Sequence, residues 1–347
     1  PLGKSAMRIF TALILALAAT AAQALVPLPA HPPVPAHNPM SAAKVELGRQ
    51  LFFDPRLSLD GTVSCASCHN VVTGGGDDDR ATSVGVGGQL GNRSAPTVLN
   101  SAFMSVLFWD GRAVSLEEQA KGPLINPVEM AMPDHAAVIG RLKKIPGYVS
   151  QFKAVFGGKD ALDIDNLARA IAAYERTLLT PDSPVDRFLK GDRTALSAQA
   201  QRGMKLFDRL GCVSCHSGPN YSGHIIKEGF LFYPWNLQKF PTFRGSVYEA
   251  KYELTKDPGR FEVTRNKRDL HMFRIPSLRN IALTAPYMHN GKVPNLEEAI
   301  RVMARTQLNK ELNDEKVKDI AAFLEGLTGR LPRQEQPRLP GLPAKRS

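Results

Sequence analysis

Every cysteine in this chain belongs to one of two Cys-x-x-Cys-His signatures, Cys65-Ala66-Ser67-Cys68-His69 and Cys212-Val213-Ser214-Cys215-His216. The pattern reads as c-type haem attachment, in which two thiols join the porphyrin and the following histidine becomes an axial iron ligand. A redox dithiol or a four-cysteine zinc cluster would use the same cysteines but leave both histidines unexplained. Two covalently bound haem c groups are therefore expected, carried by Cys65, Cys68, Cys212 and Cys215, with His69 and His216 on iron. With all four thiols so used, no disulfide can form.

The N-terminus supports export. Residues 1–6 resemble a tag remnant, and Met7-Arg8, the apolar run from Ile9 to Ala19 and Ala22-Gln23-Ala24 read as a cleavable secretory signal ending at residue 24. The apolar run is short for a membrane span, so no stable membrane insertion is expected, and the mature protein is placed in the periplasm. Loss of Lys4 and Arg8 lowers the formal charge from +11 to +9. Haem propionates would offset about four of these charges. The basic residues are scattered and form no stripe with stacked aromatics, which argues against nucleic acid as a partner. An acidic redox partner is compatible with the charge.

The chain is internally duplicated. Gly48-Arg49-Gln50-Leu51-Phe52 precedes the first motif as Gly203-Met204-Lys205-Leu206-Phe207 precedes the second, and helical segments beginning at Ile171 and Ile320 follow them at nearly equal distances. Two copies of one unit are implied. The expected fold is mainly α, with two cytochrome c-type domains, residues 41–182 and 183–330, each holding one covalent c-haem. Residues 25–40, which contain six prolines, read as an extended arm and 331–347 as a flexible tail. The final helix shows an apolar face of Val317, Ile320, Ala321, Leu324 and Leu327, with Asn313 as N-cap and Gly329 as stop.

Several further segments carry a resemblance. Phe108-Trp109-Asp110-Gly111-Arg112-Ala113, Glu118-Gln119-Ala120-Lys121-Gly122-Pro123, Pro127-Val128-Glu129-Met130, Pro276-Ser277-Leu278-Arg279-Asn280 and Leu283-Thr284-Ala285-Pro286-Tyr287 resemble the bacterial dihaem cytochrome c peroxidase and MauG superfamily. The resemblance runs from about Ala42 to Leu327. It implies hydrogen peroxide as substrate at the N-terminal haem and electron transfer at the C-terminal haem, with Met303 as the axial methionine of the latter. Met272 and Met288 are the nearby alternatives. It also implies Glu129 as distal acid-base group, Gln119 as its polar companion and Trp109 as a bridge between the haems. Thr284 and Pro286 match carbonyl ligands of an inter-domain calcium ion, with Ser94 where relatives carry asparagine and Asn92 nearby.

Two departures shape the functional reading. Where peroxidases of this superfamily carry a displaceable histidine in a loop, this chain reads Thr82-Ser83-Val84-Gly85-Val86-Gly87, and valine cannot ligate iron. A five-coordinate N-terminal haem is expected. His135 could substitute, but it reads as lying in an exposed turn. MauG places a tyrosine where Met303 stands. The combination looks closest to methanobactin-associated relatives of MauG, in which a high-valent dihaem state oxidises a partner protein's tryptophan. An alternative is a peroxidase that reduces hydrogen peroxide to water with electrons from a small cytochrome c or cupredoxin. A third is a dihaem electron carrier. The protein partner is thus a periplasmic substrate or a small redox donor, and family members are monomers or homodimers.

Overall fold

The computed structural model of the protein describes residues 25–77, 79–223 and 236–342. The expected signal segment, residues 1–24, and the end of the expected tail, residues 343–347, lie outside the described residues. In chain order the helices of the first half are α1 (Ala42–Phe53), α2 (Cys65–Cys68), α3 (Leu116–Ile125), α4 (His135–Leu142), α5 (Pro146–Phe156) and α6 (Ile164–Glu175). Those of the second half are α7 (Pro184–Leu189), α8 (Ala198–Leu210), α9 (Val247–Lys251), α10 (Phe261–Thr264), α11 (Leu296–Leu308) and α12 (Asp314–Glu325). The only strands among the described residues, β1 (Leu237–Lys239) and β2 (Met272–Arg274), pair antiparallel with Leu237 opposite Arg274.

Each half is organised by the crossing of its first long helix with its last: α1 with α6, and α8 with α12. The repeated glycine is what lets the backbones approach. A Cβ at Gly48 would overlap the Ala170 carbonyl, and one at Gly203 would overlap the Asp319 carbonyl. One turn on, the repeated phenylalanine meets an aromatic partner from the crossing helix. The ring centroids are 5.2 Å apart both for Phe52 with Tyr174 and for Phe207 with Phe323. The helices start on side-chain caps, Ser41, Asp163, Ser197 and Asn313, each accepting a bond from an otherwise unpaired N–H. Their apolar faces build two cores, one including Leu47, Leu51, Leu167 and Ile171 and the other Val317, Ile320, Leu324 and Leu327.

A second repeat, weaker in sequence, aligns residues 96–125 with 276–305 without a gap. Asn100 and Asn280 have the same left-handed backbone, φ 58° and ψ 17°, and each opens a short 3₁₀ turn. Leu107 bridges to Ala113 as Tyr287 bridges to Val293. The two asparagines converge on one group: the Thr180 hydroxyl accepts from Asn100 Nδ2 at 2.7 Å and from Asn280 Nδ2 at 2.9 Å. This buried polar contact ties the two halves together through matched residues.

Two sequence expectations need adjustment, and a third gains detail. The final helix ends at Glu325 with Gly326 as its cap, because the Gly329 backbone is drawn away to bond Asn280 Oδ1. Residues 331–342 do not hang loose. Tyr174 Oη donates to Gln334, and Arg49 and Arg56 donate to the carbonyls of Glu335 and Pro340. The arm at 25–40 contains no helix but is anchored at both ends, by Leu28 N to Asp186 Oδ1 at 2.9 Å and by Asn38 Nδ2 to Glu117 Oε1 at 2.7 Å. No helix among the described residues is long and apolar enough to cross a membrane.

Replacing Gly48 or Gly203 with alanine forces apart helices whose backbones are in contact. Each substitution is expected to cost about 1–3 kcal/mol, read as a lowered denaturation midpoint. The same change at exposed Gly140, where a Cβ meets nothing within 4 Å, serves as control.

Candidate functional site

One continuous, mostly apolar cavity of about 920 Å³ is lined by both Cys-x-x-Cys-His segments. His69 Nδ1 lies 3.3 Å from the Gly75 carbonyl and His216 Nδ1 lies 2.9 Å from the Tyr221 carbonyl. The Pro96 and Pro276 carbonyls, matched positions of the second repeat, also bear on these rings. Burial holds both imidazoles below the ordinary histidine range, hence neutral. With Nδ1–H committed to a carbonyl, Nε2 is left as the electron-pair donor, the arrangement an axial ligand needs.

The cysteines are unpaired thiols. Burial pushes the Cys65 thiol up strongly and that of Cys212 up to about 11. Such surroundings oppose the thiolates a zinc cluster requires and suit uncharged thioethers. The cavity also holds a cation with no carboxylate partner among the described residues. Arg274, 5% exposed, donates to the Phe108 carbonyl and stacks 5.8 Å from the centroid of Trp109, and burial pushes its pKa down to about 10. A buried guanidinium without a counter-charge is costly, and a haem propionate would supply one. The residues present therefore fit two c-type haems.

On the N-terminal side, α3 and the loop after it bring Gln119, Pro123, Asn126 and Glu129 to the cavity wall. Glu129 accepts from Asn126 Nδ2 at 2.7 Å. Burial raises its pKa, opposed by the charge of Arg112 and the bond from Asn126. The loop bearing Val86 is docked on the same peptide: Val86 N donates to the Glu129 carbonyl at 2.9 Å. Gly85 passes so close to the carbonyls of Val128 and Glu129 that a side chain would collide. Val86 packs into the N-terminal core. His135 is the first residue of α4, with Nε2 3.0 Å from the Lys121 carbonyl, rather than in an exposed turn.

On the C-terminal side, Met303 lines the cavity from α11 and Met288 from the loop before it, whereas Met272 lies in β2 and is not a lining residue. In the second repeat Met303 matches Pro123. One helix thus presents a thioether, and its counterpart presents a ring without a donor atom.

Trp109 lies between the halves, its Nε1 donating to the Ser94 carbonyl at 2.8 Å. Its matched residue, His289, is 1% exposed and stacks on Phe273 with centroids 4.3 Å apart. Burial pushes the His289 pKa down to about 4. Asn92, Ser94, Thr284 and Pro286 line the same cavity, and Ser94 N donates to the His289 carbonyl. Sequence reasoning missed Arg93, which bonds Asp110 at 2.6 Å and Asp257 at 2.6 Å and so joins the two halves beside the cavity. It also missed Arg274 and the carboxyl of Glu175. The signal for Glu175 was present: a carboxylate four residues after Ile171 falls on the buried face of α6.

These features define a mainly helical redox protein with two linked centres. Residues 42–194 match the family model described as di-haem cytochrome c peroxidase. The chain is 46% identical over 316 residues to the cytochrome c551 peroxidase of Pseudomonas aeruginosa, covering 90% of this chain and 87% of that one. It is 34% identical over 312 residues to the methylamine utilization protein MauG of Methylorubrum extorquens, covering 87% and 82%. The crystal structure of a MauG-like protein associated with microbial copper homeostasis aligns with a TM-score of 0.75 at 30% identity, covering 87% of this chain and 95% of that one. The chain belongs to the di-haem cytochrome c peroxidase family, a family of haem-dependent oxidoreductases that includes MauG.

Removing Arg93 leaves Asp110, 1% exposed, with Arg112 as its one ion-pair partner among the described residues. Arg93→Met is expected to cost about 2–5 kcal/mol of stability, measured by thermal or denaturant unfolding, with Arg93→Lys recovering part of the loss.

Proposed function

We propose that the protein is a periplasmic cytochrome c peroxidase that reduces hydrogen peroxide to water, one haem c on Cys65, Cys68 and His69 and one on Cys212, Cys215 and His216. In this reading residues 41–182 and 183–330 form the peroxidatic and electron-transfer domains. The observation that carries the proposal is the matched pair Pro123 and Met303 in the second repeat. The wall of the N-terminal centre has no donor atom at that position and carries Glu129 nearby, while the C-terminal wall offers a ligand. The higher identity to the cytochrome c551 peroxidase than to MauG also favours peroxide turnover with an external donor over the MauG-like reaction.

When bound, the haem irons supply peroxide binding and one-electron transfer. The chain's own residues handle protons and positioning. Glu129, its pKa raised by burial, takes a proton from the near oxygen of peroxide and delivers it to the far one. Asn126 orients the carboxyl, and Gln119 supplies a further polar group. Two electrons and two protons convert each peroxide to two waters, the electrons coming from a reduced small cytochrome c or cupredoxin. Trp109, between the halves and edge-on to His289, carries the proposed route between the centres. Asn92, Ser94, Thr284 and Pro286 would hold one calcium ion through neutral oxygens, a donor set calcium accepts.

A MauG-like oxidation of a partner protein's tryptophan is the second reading. It is favoured by Val86, which leaves the N-terminal iron without the loop histidine, and by the likeness to the MauG-like copper-homeostasis protein.

The two are separated by mixing diferric holoprotein with peroxide, with and without a reduced small cytochrome c. Immediate donor oxidation at two equivalents per peroxide, without prior reduction of the enzyme, is expected. A persistent oxidised spectrum that ignores the donor would select the second reading. Because burial raises the Glu129 pKa, its base form fills only above the usual carboxylate range. Peroxide cleavage should therefore rise with pH through that titration. Glu129→Gln should remove the pH limb and slow cleavage by about 10²–10⁴-fold, read by stopped-flow with haem content unchanged.

A further inference from the structure

Glu175 closes α6 and lines the cavity together with Ile171, one turn before it. It is 6% exposed, and its Oε2 makes no hydrogen bond among the described residues. At the matched positions on α12 the cavity is lined by Ile320 and Leu324. A carboxyl group thus stands at the N-terminal centre where the C-terminal centre has an isobutyl group.

The charges around it do not neutralise it. Arg176, the cap that follows α6, is engaged with Glu117 of α3, Nη1 to Oε1 at 2.8 Å and Nη2 to Oε2 at 3.2 Å. Glu117 is itself a like charge facing Glu175, and Lys44 of α1 is spent on Asn38 and the Pro39 carbonyl. Tyr174 of α6 and Cys65 of α2 are further titratable neighbours among the described residues, and Cys65 would be a neutral thioether once haem is attached. Burial, with the like charge of Glu117, outweighs Arg176 and pushes the Glu175 pKa up to about 8. At neutral pH the group holds its proton. A positive charge appearing in the same low-dielectric cavity favours its release.

We propose that Glu175 is a redox-linked proton site of the N-terminal haem. When that haem loses an electron to an acceptor, the Glu175 carboxyl loses one proton to solvent and remains as carboxylate. When an electron returns from the donor side, one proton returns to the carboxylate. No covalent bond other than O–H is made or broken. The second centre, with Leu324 at the matched position, has no such coupling from this position.

The inference rests on haem attachment at Cys65, Cys68 and His69 but not on peroxide reactivity. The test is a spectroelectrochemical titration of the full-length holoprotein with a mediator, from about pH 6 to about 9, resolving the two haems by their spectra. The wild-type N-terminal midpoint is expected to fall with pH at a slope approaching about 59 mV per tenfold change in proton activity. Glu175→Gln and Glu175→Leu, the latter copying the matched residue, should flatten that slope and leave that of the C-terminal haem unchanged. Redox-difference infrared of the wild type should show loss of a protonated-carboxyl band on oxidation, absent in Glu175→Gln. An N-terminal slope as steep in both variants as in the wild type, or a flat wild-type slope, would overturn the inference. A peroxide-reactive protein with a pH-independent N-terminal midpoint would keep the proposed function and remove this site.

Discussion

The close crossing of the first and last helices in each half is the constraint on which the rest depends. Gly48 against Ala170 and Gly203 against Asp319 bring backbones into contact, a geometry that any side chain at either glycine would prevent. The apolar faces of α6 and α12 are then fixed relative to the attachment segments that follow α1 and α8. Ile171 with Glu175, and Ile320 with Leu324, reach the cavity as a consequence. The chemistry of each centre follows from which residues the repeat delivers to equivalent places.

Those equivalent places hold different atoms, and two of the matched pairs differ in the same sense. Pro123 faces Met303 across the repeat, and Glu175 faces Leu324. The N-terminal centre receives two carboxyl groups whose pKa values burial raises, Glu129 and Glu175, the latter up to about 8. The C-terminal centre receives a thioether and hydrocarbon. In the proposed reading a duplicated scaffold separates proton-linked chemistry from electron transfer without a change of fold. Thr180, accepting from Asn100 and Asn280, and Arg93, bonded to both Asp110 and Asp257, hold the two centres to one cavity.

Much of this was legible in the sequence where a signal was local or periodic. The attachment motifs, the glycine-led helices, the apolar face ending at Leu327 and the Asn313 cap all depend on short-range spacing. The second repeat escaped notice because its matched residues share conformation more than identity: Asn100 and Asn280 persist, while Trp109 has become His289. Partners distant in sequence were hidden for the same reason that they matter. Nothing near Arg93 announces Asp257, and nothing near Arg274 announces Trp109. The Pro- and Arg-rich stretch from residue 331 reads as loose because two of its anchors are main-chain carbonyls accepting from Arg49 and Arg56, which leave no mark on the side-chain pattern, and the third, Gln334, meets a tyrosine distant in sequence. Comparison with relatives also moved the functional reading, from MauG-like oxidation of a partner towards peroxide reduction with an external donor.

In the proposed reading the two centres are unequal: Val86 and Pro123 offer the N-terminal iron no second ligand, while Met303 supplies one to the C-terminal iron. Low-temperature electron paramagnetic resonance of the diferric holoprotein tests it most directly. One high-spin and one low-spin ferric signal of equal integrated intensity are expected, with the low-spin signal altered in Met303→Ala. Two low-spin signals, or a low-spin signal unaffected by loss of Met303, would rule out this ligation.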